Sequence, residues 1–351
     1  MNLDLKEINK CVRCGTCRSV CPAFEASGWE SANTRGRVLV MKGLAKGLKA
    51  DWEVLDSLNT CTTCGICTDN CPAGVNFPQL IEAARRDLVC QGIMTGEQAT
   101  LSRNIFECGN TFGDPGDRLA WLRDRRLWRE KADYVYFVGC MNSYRYPGTA
   151  ARTFDLLSRF GATLLPTEQC CGSPLLRTGF DAHRFVDENL RQIKLTGART
   201  IITGCAGCYA TLKKNYSTDL QVLSVPEFLA EHISELDLEP LDITVTYHDP
   251  CHLGRHDGIY EQPRRVIEAI CELKEMRASG KAARCCGGGG GVRYGYKDLS
   301  LQMAKRRLQD VPDDVDCIVT SCPLCIRNLR DAGAGEKAID LVDLVVKAIR
   351  R

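Results

Sequence analysis

The spacing of apolar and polar positions changes along the chain. Between residues 35 and 58, Val38, Met41, Leu44, Ala45 and Leu48 recur at helical intervals, which predicts a helical stretch from Arg35 to Leu58. Residues 98–133 carry no repeat and read as helical, charged towards their end, with Trp121 and Trp128 seven apart. The plain reading of that stretch is a solvated helix with one buried stripe; the other is a docking face for a partner subunit. Beyond it, short β-rich runs take over at Tyr134–Val138, Thr200–Thr203, Ile243–Tyr247 and Cys317–Thr320. Helical stretches such as Thr149–Phe160 and Pro263–Cys271 lie between them. Strands alternating with helices predict α/β units around a mostly parallel sheet. Such sheets place ligands at the carboxyl ends of their strands.

The strand runs pair off, and cysteines follow each. One set is Cys140, Cys170-Cys171-Gly172 and Cys205-x2-Cys208. A second is Cys251, Cys285-Cys286-Gly287 and Cys322-x2-Cys325. Equivalent positions stand 111, 115 and 117 residues apart, so the back of the chain is an internal duplication.

Composition narrows the class. The chain has 351 residues, 44% hydrophobic and 26% charged, in the range of ordinary globular proteins, with a formal net charge of +2. No global field favours nucleic acid or an anionic membrane surface. No apolar stretch approaches ~18 residues, so no membrane span is expected. The polar stretch Met1–Lys10 does not read as a secretory signal. The 22 cysteines then point to thiols kept reduced in a cytoplasm for metal or redox chemistry.

Eight of these cysteines lie at the front. Cys11, Cys14, Cys17 and Cys21 precede Pro22; Cys61, Cys64, Cys67 and Cys71 precede Pro72. Each run is C-x2-C-x2-C-x3-C-P, the two-cluster ferredoxin spacing, in which the fourth cysteine ligates the other cluster. One cubane 4Fe-4S cluster is therefore expected on Cys11, Cys14, Cys17 and Cys71. The other is expected on Cys61, Cys64, Cys67 and Cys21. Zinc is the competing reading, but a third evenly spaced cysteine followed by Cys-Pro is superfluous for zinc.

The back sets are quintets: Cys140, Cys170, Cys171, Cys205 and Cys208, then Cys251, Cys285, Cys286, Cys322 and Cys325. An ordinary cubane needs four thiolates. Adjacent cysteines suit a larger cluster, where one thiolate can bridge two irons. The glycine run Gly287–Gly291 allows close backbone approach or leaves room for a substrate; a flexible linker is the bland alternative. His252 follows Cys251 and is a candidate proton donor or hydrogen-bond partner of the cluster, with plain packing as the alternative. Cys286 joins it as a candidate at the catalytic centre. A mononuclear metal site on His248, His252 and His256 is disfavoured, because Pro250 and Gly254 interrupt any helix. Tyr294 and Lys297 could meet an anionic substrate, or simply begin an exposed helix. Cys90, Cys108, Cys271 and Cys317 are left over, with Cys271 and Cys317 read as core. His183 and His232 receive the same core reading.

The expected architecture is mixed α+β and α/β. A helical two-cluster ferredoxin domain spans 1–97 and a helical linker 98–133. Tandem α/β cysteine-rich CCG repeats span 134–240 and 241–351.

The doubled C…CCG…CxxC motif resembles the cysteine-rich domains of heterodisulfide reductases. With the ferredoxin-type front, the layout is similar to the D-type subunit of that family. Arg35-Gly36-Arg37 and Gly109-Asn110-Thr111-Phe112-Gly113 carry the resemblance too. The same layout occurs in the iron–sulfur subunits of glycolate oxidase, lactate-utilisation systems and anaerobic glycerol-3-phosphate dehydrogenase. The resemblance implies a noncubane 4Fe-4S cluster on each quintet and cleavage of the coenzyme M–coenzyme B disulfide, as in methanogenesis. It implies an electron-donating partner, either a haem-bearing membrane subunit or a flavoprotein, and membrane contact only through that partner. The alternative it leaves is an electron-relay subunit of a flavin-dependent 2-hydroxy-acid or glycerol-3-phosphate dehydrogenase. No glycine fingerprint for a dinucleotide is present, so either reading needs a partner.

Overall fold

A computed structural model describes residues 4–124 and 128–350. The front is helical. Asn33 caps the helix Thr34–Ala45 by accepting the Gly36 N–H at 3.2 Å, and the helix buries Val38, Met41 and Leu44. The helical stretch expected over Arg35–Leu58 is in fact two helices. The chain turns at Gly47, and Asp51 caps a second helix, Trp52–Asn59. Leu48 falls in that turn and is 50% exposed. A third helix, Phe77–Cys90, closes the core around Ile8, Met41, Leu58, Phe77 and Ile81.

The helix Gly96–Cys108 starts in a capping box formed by Thr95 and Gln98. It ends at Gly109, and residues 110–124 and 128–133 are turns and irregular chain. The helical reading of 98–133 is thus corrected beyond Cys108. Gly109, Gly113, Pro115 and Gly116 break the helix, and the Asn110 side chain accepts the N–H groups of Phe112 and Asp114 at 2.9 and 3.2 Å. Trp121 is buried against Phe154, whereas Trp128 is partly exposed and donates to the Leu164 carbonyl at 3.2 Å. The two tryptophans share no helical stripe.

Two four-stranded parallel sheets follow. The first uses β1 (Tyr134–Phe137), β2 (Ala162–Leu164), β3 (Thr200–Thr203) and β4 (Gln221–Ser224) in the order β2-β1-β3-β4. The second uses β5 (Thr244–Tyr247), β6 (Glu272–Leu273), β7 (Cys317–Thr320) and β8 (Ala338–Asp340) in the order β6-β5-β7-β8. The duplicated sequence therefore folds with duplicated topology. In each sheet the strand order reverses between the two central strands, and a crevice opens there at the carboxyl ends. Cys140 and Cys205 follow β1 and β3; Cys251 and Cys322 follow β5 and β7.

The repeats meet helix against helix. The helix Val225–His232, after β4, packs on Glu261–Glu268, which follows β5. The helix Leu341–Ala348, after β8, packs on Pro147–Ser158, which follows β1. A single apolar core runs through both repeats, with Phe154, Leu157 and Phe228 from the first and Val266, Leu344 and Val345 from the second. The sheets are thereby held so that their cysteine-bearing ends converge.

Candidate metal centre

The two front cysteine runs fold alike. Arg13 and Thr63, each just before the second cysteine of its run, have φ +61° and +55°. Non-glycine residues rarely take this left-handed form. Its recurrence at the same position gives each run the same local bend. Cys71 shares a surface hollow with Cys11, Cys14 and Cys17. Cys21 is close enough to Cys61 and Cys64 to feel their charge. The fourth cysteine of each run therefore lies with the other run. The two sets differ in depth. Cys14 is exposed, whereas Cys21, Cys61, Cys64 and Cys67 are buried.

Behind them the quintets gather. In the first, hydrogen-bond contacts link Cys140 to Cys170, Cys170 to Cys171, Cys171 to Cys208, and Cys208 to Cys205. In the second they link Cys251 to Cys285, Cys285 to Cys286, and Cys325 to Cys322; Cys286 and Cys325 have their sulfurs 3.3 Å apart. Two further contacts join the sets. Cys64 of the front meets Cys285, and Cys205 of the first quintet meets Cys322 of the second. All 22 cysteines are free thiols.

Thiols this crowded cannot all ionise unaided. The hydrogen bond with a neighbouring thiol, and then burial, push Cys140 and Cys251 far above the usual thiol range. Hydrogen bonds from Cys170 and Cys208 bring Cys171 down to about 6. A buried donor set of five sulfurs needs a cationic centre to hold them as thiolates, and the arrangement fits an iron–sulfur cluster.

Both quintets line one cavity of about 390 Å³. Its wall includes His252, Gly288–Gly291, Arg293, Tyr294, Lys297 and Arg327. The glycine run is packed chain, not a linker. A Cβ on Gly290 would stand 2.3 Å from the Cys61 carbonyl oxygen, and one on Gly289 2.8 Å from that of Thr62. Missing side chains let the second repeat lie directly against the buried front run. The wholly buried Arg85 fastens this contact, donating to the carbonyls of Cys61 at 2.7 Å, Gly290 at 3.0 Å and Arg177 at 2.6 Å.

Polar groups surround the thiols. Arg118 donates to Cys140 Sγ at 3.3 Å and to Glu168 at 2.6 Å. Glu168 also accepts the N–H groups of Val138 and Gly139 at 2.7 and 2.9 Å. His252 Nδ1 lies 3.4 Å from Cys251 Sγ, and its ring stacks on His256 at 4.7 Å. His256 Nε2 donates to the Thr63 carbonyl at 3.0 Å. His248 points elsewhere, towards Cys286 and Cys325, so the three histidines do not converge on one ion. Burial holds His252 well below the usual imidazole range, so it is neutral. Sequence reasoning missed Arg85, Arg118, Glu168 and the placement of His248. Arginine and glutamate carry no spacing signature, and each acts here through residues distant in the chain. His183, read as core, is a correction: its side chain is 86% exposed at the start of the helix His183–Thr196. His232 packs on the rings of Phe228 and Phe160. Cys271 and Cys317 are half-buried against the shared core, while Cys90 is exposed.

Comparison with known proteins bears on the same cysteines. The family model of the 4Fe-4S dicluster domain matches residues 7–75, and that of the cysteine-rich domain matches 134–213 and 245–330. All eighteen cysteines of the four sets fall inside these matches. The D-type subunit of the dihydromethanophenazine:CoB–CoM heterodisulfide reductase of Methanosarcina barkeri is 35% identical over 99% of this chain and 95% of its own length. The chain belongs to the family of D-type heterodisulfide reductase subunits. The B-type subunit of the fumarate reductase (CoM/CoB) of Methanothermobacter marburgensis is 37% identical over 60% of this chain and 45% of its own length. The EtfAB:quinone oxidoreductase of Syntrophomonas wolfei is 27% identical over 99% of this chain and 59% of its own length. This member of the D-type family is thus an iron–sulfur oxidoreductase subunit whose relatives serve different redox complexes. Among its described residues, no helix is long and apolar enough to cross a membrane.

Proposed function

We propose that this chain is the disulfide-reducing subunit of a complex of the coenzyme B–coenzyme M heterodisulfide reductase type. One observation carries the reading: two complete quintets line the same cavity and touch each other through Cys205 and Cys322. A relay needs no second quintet and no shared cavity. A disulfide offers two sulfurs, and a cavity walled by two cysteine sets presents one set to each.

The four front cysteines near the surface (Cys11, Cys14, Cys17 and Cys71) and the four behind them (Cys61, Cys64, Cys67 and Cys21) would each hold a cubane. Each quintet would hold a noncubane 4Fe-4S cluster. Bound clusters supply single electrons along this row and offer iron to a departing thiolate. The residues do the rest. Cys64 and Cys285 bring the buried front run into contact with the second quintet. Arg293, Lys297 and Arg327 give the cavity a cationic wall suited to an anionic substrate. Arg293 is paired with Asp331, whereas Lys297 makes no ion pair among the described residues. His252, neutral and beside Cys251, can pass a proton by accepting on one ring nitrogen while releasing from the other. The exposed corner at Cys14 is where an electron-donating partner would dock, whether a haem-bearing membrane subunit or a flavoprotein. That partner would also supply any membrane contact of a chain working at the cytoplasmic face. The functional units would be 1–97 for electron entry, 98–133 as connection, and 134–240 with 241–351 as the two halves of the disulfide site.

The relay reading is supported by the likeness to a protein named EtfAB:quinone oxidoreductase, which matches 99% of this chain and 59% of its own length. The deciding assay supplies reduced viologen and the heterodisulfide to the anaerobically purified complex. Turnover, with about 16 irons per chain, is expected. Absence of turnover, with clusters reduced by a hydroxy acid through a flavoprotein, would establish the relay instead. Cys286→Ala is expected to abolish turnover while sparing the signals of the front clusters.

A further inference from the structure

His248 closes β5 and is 1% exposed. Its backbone is fixed on both sides: its N–H donates to the Val319 carbonyl at 2.9 Å, and its carbonyl accepts from Thr320 Oγ1 at 2.9 Å. Its ring Nδ1 lies 3.0 Å from Arg307 Nε. A guanidinium can only donate, so Nδ1 accepts and the ring proton sits on Nε2. Arg307 is itself wholly buried and cannot swing away. Its Nη1 donates to the Ala278 carbonyl at 2.7 Å and to Asp310 at 2.9 Å.

Nε2 is buried with no hydrogen-bond partner among the described residues. A buried N–H without an acceptor is costly, and native structures seldom leave one. A ring nitrogen of His248 and the sulfurs of Cys286 and Cys325 all lie within 4.8 Å of one another. Nδ1 is taken by Arg307, so Nε2 is the ring nitrogen left for these thiols. It is not a ligand, because a ring bound to metal through Nε2 would carry its proton on Nδ1, against the Arg307 N–H. The first repeat lacks the device: three residues before Cys140 stands Phe137, buried and without a donor.

We propose that His248 is an N–H donor to the cluster held by the second quintet, locked in that tautomer by Arg307, and that it makes this cluster easier to reduce. The proposal rests on the reading that Cys251, Cys285, Cys286, Cys322 and Cys325 hold a cluster. Hydrogen bonds to cluster sulfurs and their thiolates stabilise the more negative, reduced state and so raise the potential. Arg307 is the positioning residue, acting on the cluster only through the His248 ring.

The test uses the anaerobically purified complex. Iron is counted first, and a count near eight per chain overturns the proposal through the reading beneath it. With about 16 irons, the wild type carrying ¹⁵N-histidine is studied by electron–nuclear double resonance. A weak nitrogen coupling with an exchangeable proton on the second-quintet signal is expected, and it should vanish in His248→Gln, which keeps His252 beside Cys251. A strong coupling, meaning ligation, no coupling at all, or a coupling unchanged in His248→Gln overturns the proposal. Redox titration of His248→Phe, which copies the first repeat, is then expected to lower the reduced-to-oxidised ratio about tenfold at a fixed potential, or 59 mV for one electron. His248→Gln keeps an N–H and should shift less. An unshifted His248→Phe with full iron overturns the proposal. If His248→Phe loses iron, the wild-type couplings and His248→Gln decide it.

Discussion

Arg118 donates on one side to Glu168 and on the other to Cys140 Sγ, with both charged groups buried. Removing one partner of a buried pair strands the other charge, at a cost of about 3–5 kcal/mol. Arg118→Leu should therefore lower the anaerobic unfolding free energy by that much, and adding Glu168→Leu should restore part of it. An unchanged free energy would mean the pair has no structural worth. Cys271 lies outside the four cysteine sets. Burial, with Cys317 nearby, pushes its thiol up to about 11. The thiolate is the reactive form, so alkylation of Cys271 should be slow at neutral pH and rise about tenfold per pH unit until that value is approached. A rate already flat near neutrality would contradict it. At this scale the sequence was legible where chemistry repeats, in the cysteines. It was silent where one residue acts through another far along the chain, as Arg307 does on His248 fifty-nine residues away.

The elements that matter most are loops forced into contact. Gly290 has φ +61° and sits against the Cys61 carbonyl, while Gly28 has φ +76° and a Cβ there would meet no described atom within 4 Å beyond its chain neighbours. Gly28→Ala should cost about 1 kcal/mol, from backbone strain alone. Gly290→Ala should add a steric cost of roughly 1–3 kcal/mol and pry the buried front run from the second quintet. Turnover should then fall much further than iron content does; equal effects of the two variants would refute this. Strand ends were readable because short β-rich runs lead into cysteines twice over. Helix ends were less so. The stretch after Cys108 keeps charged residues at intervals compatible with a helix, and only the local bonding of Asn110 and the glycines around it decides otherwise.

Across the whole molecule, helix-on-helix packing ties the repeats into one body. Leu344 is fully buried in the core that both repeats share, and Asp343 beside it pairs with Arg152 of the first repeat at 2.7 Å. Leu344→Ala should cost about 2–5 kcal/mol. It should move a single calorimetric transition for both repeats; two separated transitions would show that they fold independently. The duplication foretold two sheets, but not which helices would pack between them, because apolar helix faces do not name their partners.

The cysteines also grade from open to sealed. Cys14 is exposed, while Cys170, Cys171, Cys285 and Cys286 are buried. Dioxygen meets the Cys14 set at the surface, without entering the cavity that the quintets line. A brief exposure to air should bleach a cluster held by that set first and stop electron delivery while clusters held by the inner sets would persist. The chain would then fail as a circuit does at a blown fuse, repairable at its surface with the interior spared.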